Sequence, residues 1–267
     1  MVVLLARAGL AQSVAAHRTY AIWFVNRTRR RYAAGGMIPL RDTVPSARFP
    51  IINLTLIALN TLCFLHELSL GNDLQRFIQT FGLVPARFHN GGAAEIGSLV
   101  TSMFLHSGWF HLLGNMLFLY IFGDNVEDRL GHLRYVCFYL LCGAAAGVAQ
   151  TYAASGSPLP MIGASGAIAG VTGAYFLFFP TARVVTLVPI FFFFQIIEIP
   201  AVVFLLLWFL MQLMYGMATI SAAGEFVGGV AWWAHVGGFL FGMIAAPLLA
   251  PRKPARVGRV QALSWRD

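Results

Sequence analysis

The chain has 267 residues and a mass of 29.2 kDa, is 58% hydrophobic and only 10% charged, and has a mean hydropathy of +0.73. An ordinary soluble domain is about 45–50% apolar and about 25% charged, so a soluble globular protein is excluded. The net charge of +8 collects at the two ends: eight arginines against Asp42 in residues 1–50, and four arginines with Lys253 against Asp267 in 251–267. That distribution argues against a nucleic-acid partner and for basic flanks on the cytoplasmic side of a membrane, facing anionic lipid.

In chain order, the opening MVVLLARAGL is broken by Arg7 and too short to span, and residues 11–36 carry the cluster Arg27, Arg29, Arg30 and Arg31. An amphipathic surface segment and a disordered one both fit this pattern. A span needs about 20 mostly apolar residues. The first runs from Ile51 to Leu70, with His66 and Glu67 near its outer end. Residues 71–100 form a long external segment whose moderately apolar patches predict short helices against the membrane surface. The second span is expected over Ser107–Gly123, the third over Leu133–Ala154, with the charged stretch DNVEDRLGH as the internal turn between them. The fourth covers Ile162–Pro180. Val184 to Gly216 is too long for one span, and Pro189 and Pro200 divide it. Two spans there would put the basic tail outside, against the positive-inside rule. Thr186–Glu198 is therefore expected to be interfacial or re-entrant, Ile199–Gly216 to be the fifth span, and Gly229–Leu249 the sixth. The expected division is a basic cytoplasmic region at 1–50, a six-helix all-α membrane domain at 51–250 and a basic cytoplasmic tail at 251–267.

Three polar clusters then fall at one depth. Ser165, in GASG, lies just inside the outer end of the fourth span; His235, in WWAHVGG, lies similarly in the sixth; His111 and Asn115 are one turn apart on the second. Gly238 and Gly242 follow His235 at i+3 and i+7, and Ala169, Thr172 and Gly173 follow Ser165. Such small-residue faces allow close helix packing, which brings a serine nucleophile to a histidine base. No carboxylate completes a triad, since Glu225, Asp124 and Glu198 are all placed elsewhere. The unit is a dyad, with backbone N–H near Ser165, the Asn115 amide and His111 facing the developing oxyanion. GASG alone is also a helix-packing motif, and His111 with Asn115 is also interhelical hydrogen-bonding glue, but an intramembrane histidine is costly unless it is used. His106, His111 and His235 lack an acidic or HExxH partner, so no metal site and no cofactor is expected. Trp232 and Trp233 read as interfacial anchors. The cysteines at 63, 137 and 142 all lie in spans and read as packing residues.

The stretches HSGWFHLLGNMLFLYIFGDNVEDRLG, GASGAIAG and AHVGGFLFG, in this order, resemble the rhomboid intramembrane serine proteases over about residues 37–250. The resemblance implies a six-helix rhomboid-like bundle in which Ser165 is the nucleophile and His235 its base. It assigns His111 and Asn115 to the oxyanion and Gly163 to the loop before the serine. It also implies that His106 stands near a water-accessible cavity and that Glu127 and Arg129 form a structural acid–base pair. The implied partners are single- or multi-span membrane-protein substrates in a bacterial inner membrane, cleaved near the outer face, with both termini cytoplasmic. Two positions depart from the pattern. Ala169 stands where some members stack a tyrosine on the histidine, and Gly97-Ser98 stands where many have Trp-Arg. A catalytically silent relative that binds membrane helices is the main rival. A transporter would require inverted repeats and a polar site at the midplane, and neither is visible.

Overall fold

The computed structural model describes residues 37–88, 91–190, 193–221 and 230–251. Expectations placed on residues 1–36 and 252–267, and on Glu225, lie outside them. The first element is a strand, β1 (Ile38–Asp42), followed by α1 (Ile51–Ser69), the short helices α2 (Leu74–Phe81), α3 (Pro85–Phe88) and α4 (Ala93–Thr101), and the long helices α5 (Trp109–Leu130) and α6 (His132–Ala153). Then come α7 (Ser165–Phe178), strands β2 (Arg183–Ile190) and β3 (Phe193–Pro200), α8 (Ala201–Ser221) and α9 (Trp232–Leu249).

Six helices, α1 and α5 to α9, make an all-helical bundle at the positions of the six expected spans, and the segment after α1 folds into short helices as anticipated. By length and composition, Ile51–Ser69, His132–Ala153, Ala201–Thr219 and Trp232–Leu249 can cross a membrane. The protein is an integral membrane protein. α7 is apolar but only 14 residues long, about 21 Å at 1.5 Å per residue. It lies at the centre, with every residue from Gly166 to Tyr175 buried.

Three boundaries differ from the sequence expectation. The helix carrying His111 does not end at Gly123. DNVEDRL continues it to Leu130, and Gly131, at φ +84°, makes the turn instead. The acids there are not a solvated loop but partners of the chain around the start of α1. Glu127 accepts the N–H groups of Ile52 at 3.0 Å and Asn53 at 2.7 Å. Asp124 accepts from Ser46 Oγ and Asp128 from the Ala47 N–H. Glu127 therefore caps the first turn of α1, taking two of the leading amides that have no acceptor within the helix.

The second difference is Thr186–Glu198, expected only as an interfacial or re-entrant segment, which folds as β-structure. β2 and β3 pair as an antiparallel hairpin from Arg183↔Pro200 to Ile190↔Phe193, and β1 adds to β2 with Ile38↔Leu187 and Asp42↔Val184. Val, Ile, Thr and Phe dominate these stretches, and β-branched and aromatic residues favour a pleated surface. The all-α class therefore holds for the bundle, and among the described residues a three-stranded sheet stands at the end where α7 stops and α8 begins.

Third, residues 38–50 are not merely part of a basic flank. Asp42 accepts a hydrogen bond from Tyr175 OH at 2.6 Å, Asn125 Nδ2 donates to Val44 O, and the Thr43 N–H donates to Arg183 O. This strand and its connection are sewn to α5, α7 and the hairpin.

Candidate active site

Ser165 is the first residue of α7, at the end away from the sheet. α7 is eight residues shorter than α5 and α6, and at its serine end Ala164 is buried and Ser165 half-buried. The segment before it turns through Gly163 at φ +126°, a left-handed conformation that suits glycine alone. A Cβ there would also run into the His111 ring, 2.7 Å from Cε1 and Nε2. The Gly163 N–H donates to Ser102 O at 2.8 Å, which fixes the loop.

His235, in the first turn of α9, is 8% exposed. Its Nε2 lies 2.7 Å from Ser165 Oγ. Two interfaces of bare backbone set this distance. A Cβ on Gly238 would overlap Gly166 O, and one on Gly242 would overlap Gly170 O. On the other side, a Cβ on Gly173 would overlap Phe239 O. At these glycines α7 and α9 meet backbone against backbone, as small residues at membrane helix contacts permit.

His111 Nδ1 is 3.4 Å from the Ser107 backbone N and 3.1 Å from its hydroxyl. With Nδ1 accepting the backbone N–H, the ring proton sits on Nε2, the nitrogen nearest Gly163. Asn115, one turn further along α5, is 8% exposed, and its amide Nδ2 has no hydrogen-bond partner. That Nδ2 would lie 3.7 Å from a Cβ on Gly163, so it faces the same loop. The leading N–H groups of α7 also lack intrahelical acceptors, as at any helix start. Unused donors thus converge beside the serine. His106 is 2% exposed with neither ring nitrogen bonded to protein. Its ring packs edge-on to His111 with centroids 5.1 Å apart, and its backbone N–H donates to buried Glu67.

A model of the Rhomboid domain matches residues 93–252, more than half of the chain. The chain belongs to the rhomboid family. Similar proteins include the putative rhomboid protease YdcA of Bacillus subtilis, 35% identical over 89 residues, covering 33% of this chain and 44% of that protein. The rhomboid protease GluP of Bacillus subtilis is 35% identical over 126 residues, 47% of this chain and 24% of that protein. RHOMBOID-like protein 6, mitochondrial, of Arabidopsis thaliana is 37% identical over 76 residues, 28% of this chain and 24% of that protein. Each match spans less than half of the relative's length.

Ser165, His235, His111, Asn115, Gly163 and His106 of this rhomboid thus gather at one end of the bundle, and Gly238 and Gly242 form the contact that unites α7 with α9. Glu127 and Arg129 stand at the opposite end and are not paired with each other. Glu127 binds the start of α1 and His132 Nδ1, while the Arg129 guanidinium lies over the Phe178 ring, 5.4 Å from its centroid. Positions two apart on a helix do not face each other, which is why the pair does not form. Gly97 and Ser98 lie in α4, where the Ser98 hydroxyl donates to Glu95 O.

Three residues of α8 and α9 near the histidine have roles that hydropathy did not announce. Trp208 lies over the His235 ring at 5.8 Å between centroids and 36° between planes. It supplies the aromatic surface that buried Ala169 does not. Trp232 is not only an anchor: it stacks on Tyr215 and stands edge-on to His235 at 6.3 Å. Gln212 Oε1 lies 2.7 Å from His235 Nδ1. A polar residue in an otherwise apolar span was the available signal for Gln212.

Proposed function

We propose that this rhomboid is an intramembrane serine endopeptidase that cleaves membrane-protein helices with a Ser165–His235 dyad. The observation that carries the proposal is the 2.7 Å contact between Ser165 Oγ and His235 Nε2, part-buried between two helices of the bundle. His235 removes the hydroxyl proton as Ser165 attacks a peptide carbonyl. The oxyanion that forms is met by His111 Nε2–H, Asn115 Nδ2 and the amides at the start of α7, preorganised donors in a low-dielectric site. His235 then returns its proton to the leaving amine, and water repeats the sequence on the acyl-enzyme.

A carbonyl inside an intact helix is already hydrogen-bonded, so the substrate unwinds before it is attacked. Helices with Gly, Pro or Ser near their outer end are the favoured class, entering beside α5 and α8. The basic flanks orient both termini and the sheet toward the cytoplasm and the dyad toward the outer face of a bacterial inner membrane.

The test is cleavage of a single-span substrate in liposomes by the wild-type protein, Ser165→Ala and His235→Ala. Wild-type cleavage with both variants silent is the expected result, with a serine-reactive fluorophosphonate labelling the wild type alone. Cleavage by Ser165→Ala, or a wild-type protein that neither cleaves nor labels, overturns the assignment and favours a silent helix-binding relative.

A further inference from the structure

Gln212 lies midway along α8, is 5% exposed, and presents its amide oxygen 2.7 Å from His235 Nδ1. An imidazole carrying one proton donates from one nitrogen and accepts at the other. If Nε2 is to accept the Ser165 proton, the ring proton must be on Nδ1, where it needs an acceptor. The Gln212 carbonyl oxygen is placed to be that acceptor. An amide turned the other way would present NH2 to Nδ1, move the ring proton to Nε2 and leave Ser165 facing a donor instead of a base. The orientation of one side chain therefore decides whether the serine can be activated.

We infer that Gln212 is a positioning residue of the site: it holds His235 in the tautomer and orientation that make Nε2 the base, the task that falls to a carboxylate in a triad. The inference rests on the reading of Ser165 and His235 as nucleophile and base. The neutral amide suits its surroundings. A carboxylate buried at this depth carries a large desolvation cost, whereas an amide holds the N–H without a charge. Trp208 is one turn before Gln212 on the same helix and covers the imidazole face. α8 thus fixes both the plane and the proton of the histidine while contributing no reacting atom, and the chemistry depends on that helix being docked.

The test compares full-length wild type, Gln212→Met, Gln212→Glu and Ser165→Ala in liposomes with the single-span substrate. Gln212→Met keeps the length of the side chain and removes the acceptor. It should lower kcat about 10- to 100-fold, the effect of leaving one buried donor unpaired in the working state, with KM within about twofold of wild type. Gln212→Glu puts an acceptor oxygen back at the cost of burying its carboxyl, so it should keep more of kcat than Gln212→Met, which separates the role from simple space filling; a loss as large as that of Gln212→Met would overturn the acceptor role. Independently of any substrate, the 15N spectrum of His235, assigned by its loss in His235→Asn, should report the proton on Nδ1 in wild type. In Gln212→Met it should report a shift toward Nε2. Unchanged kcat in Gln212→Met, or an unchanged His235 tautomer, overturns the role of Gln212. Cleavage by Ser165→Ala overturns the dyad instead, so the two failures are distinct.

Discussion

Trp208 and His235 face each other across α8 and α9 with ring centroids 5.8 Å apart and planes inclined by 36°. The ring that covers the imidazole face thus comes from a helix that carries neither reacting residue. Aromatic contacts of this kind contribute about 0.5–1.5 kcal/mol beyond area burial. Trp208→Ala should therefore reduce kcat about 2- to 10-fold, while Trp208→Phe should stay near wild type. Steady-state cleavage of a reconstituted substrate by the two variants checks this. Equal loss in both would mean that the indole, rather than a ring surface, is required.

The glycine contacts between α7 and α9 leave no room for a methyl group. Gly242→Ala would drive its Cβ into Gly170 O, a backbone atom that cannot swing aside. Overpacking of this kind costs about 1–3 kcal/mol, and because the displacement separates Ser165 from His235, cleavage should fall with stability. Gly114→Ala is the control, since nothing lies within 4 Å of its new methyl. Thermal unfolding in detergent should be lowered by the first substitution and not by the second.

Glu127 and Arg129 make separable contributions. Glu127→Ala leaves the Ile52 and Asn53 amides without their acceptor and should cost about 1–3 kcal/mol. Arg129→Ala removes the contact with Phe178 and should cost less. In a double-mutant cycle on unfolding free energy, the two losses should add to within about 0.5 kcal/mol. A larger coupling would restore the acid–base pair that the family resemblance implies.

Asp42 gives the fold a pH dependence of defined sign. Burial, the largest influence, pushes its carboxyl up to about 6, well above the usual carboxylate range; the Tyr175 hydroxyl pulls it down and Asp124 raises it further. A carboxyl with a raised folded-state pKa holds more protons when folded than when unfolded, so stability falls as pH rises from about 4 to about 6 and is flat above. The melting temperature should accordingly be higher at pH 4.5 than at pH 7. Asp42→Asn, which keeps an oxygen for Tyr175, should flatten this slope. A slope unaffected by the substitution would assign the pH dependence to other acids.

The bundle was legible because apolar run length and basic flanks are direct signals of spans, and Ser165, His235, His111 and Asn115 stood out as polar residues at one depth in apolar helices. The hairpin was hidden for a physical reason. Phe193, Phe194, Ile196 and Ile197 are apolar on both faces, so the period-two alternation that marks a half-buried strand is absent. The helical course of DNVEDRL was masked by its charges, whose partners Ser46, Ala47, Ile52 and Asn53 lie more than seventy positions away. Gln212 does not stand out as a third member because the position beside His235 Nδ1 takes a neutral amide in place of a carboxylate.

Strand β1 meets its partner across a gap of about 140 residues, Asp42 opposite Val184. At a synthesis rate of about 5–20 residues per second, β1 waits on the order of 10 s before β2 exists. During that interval four bundle helices are inserted while an early strand stands with an open edge, the condition under which strands find wrong partners. Closure of the sheet therefore has to wait until four of the six bundle helices have been made. The Asp42–Tyr175 bond can form only once α7 is in place, so a chain that halts before residue 183 keeps β1 without its strand partner.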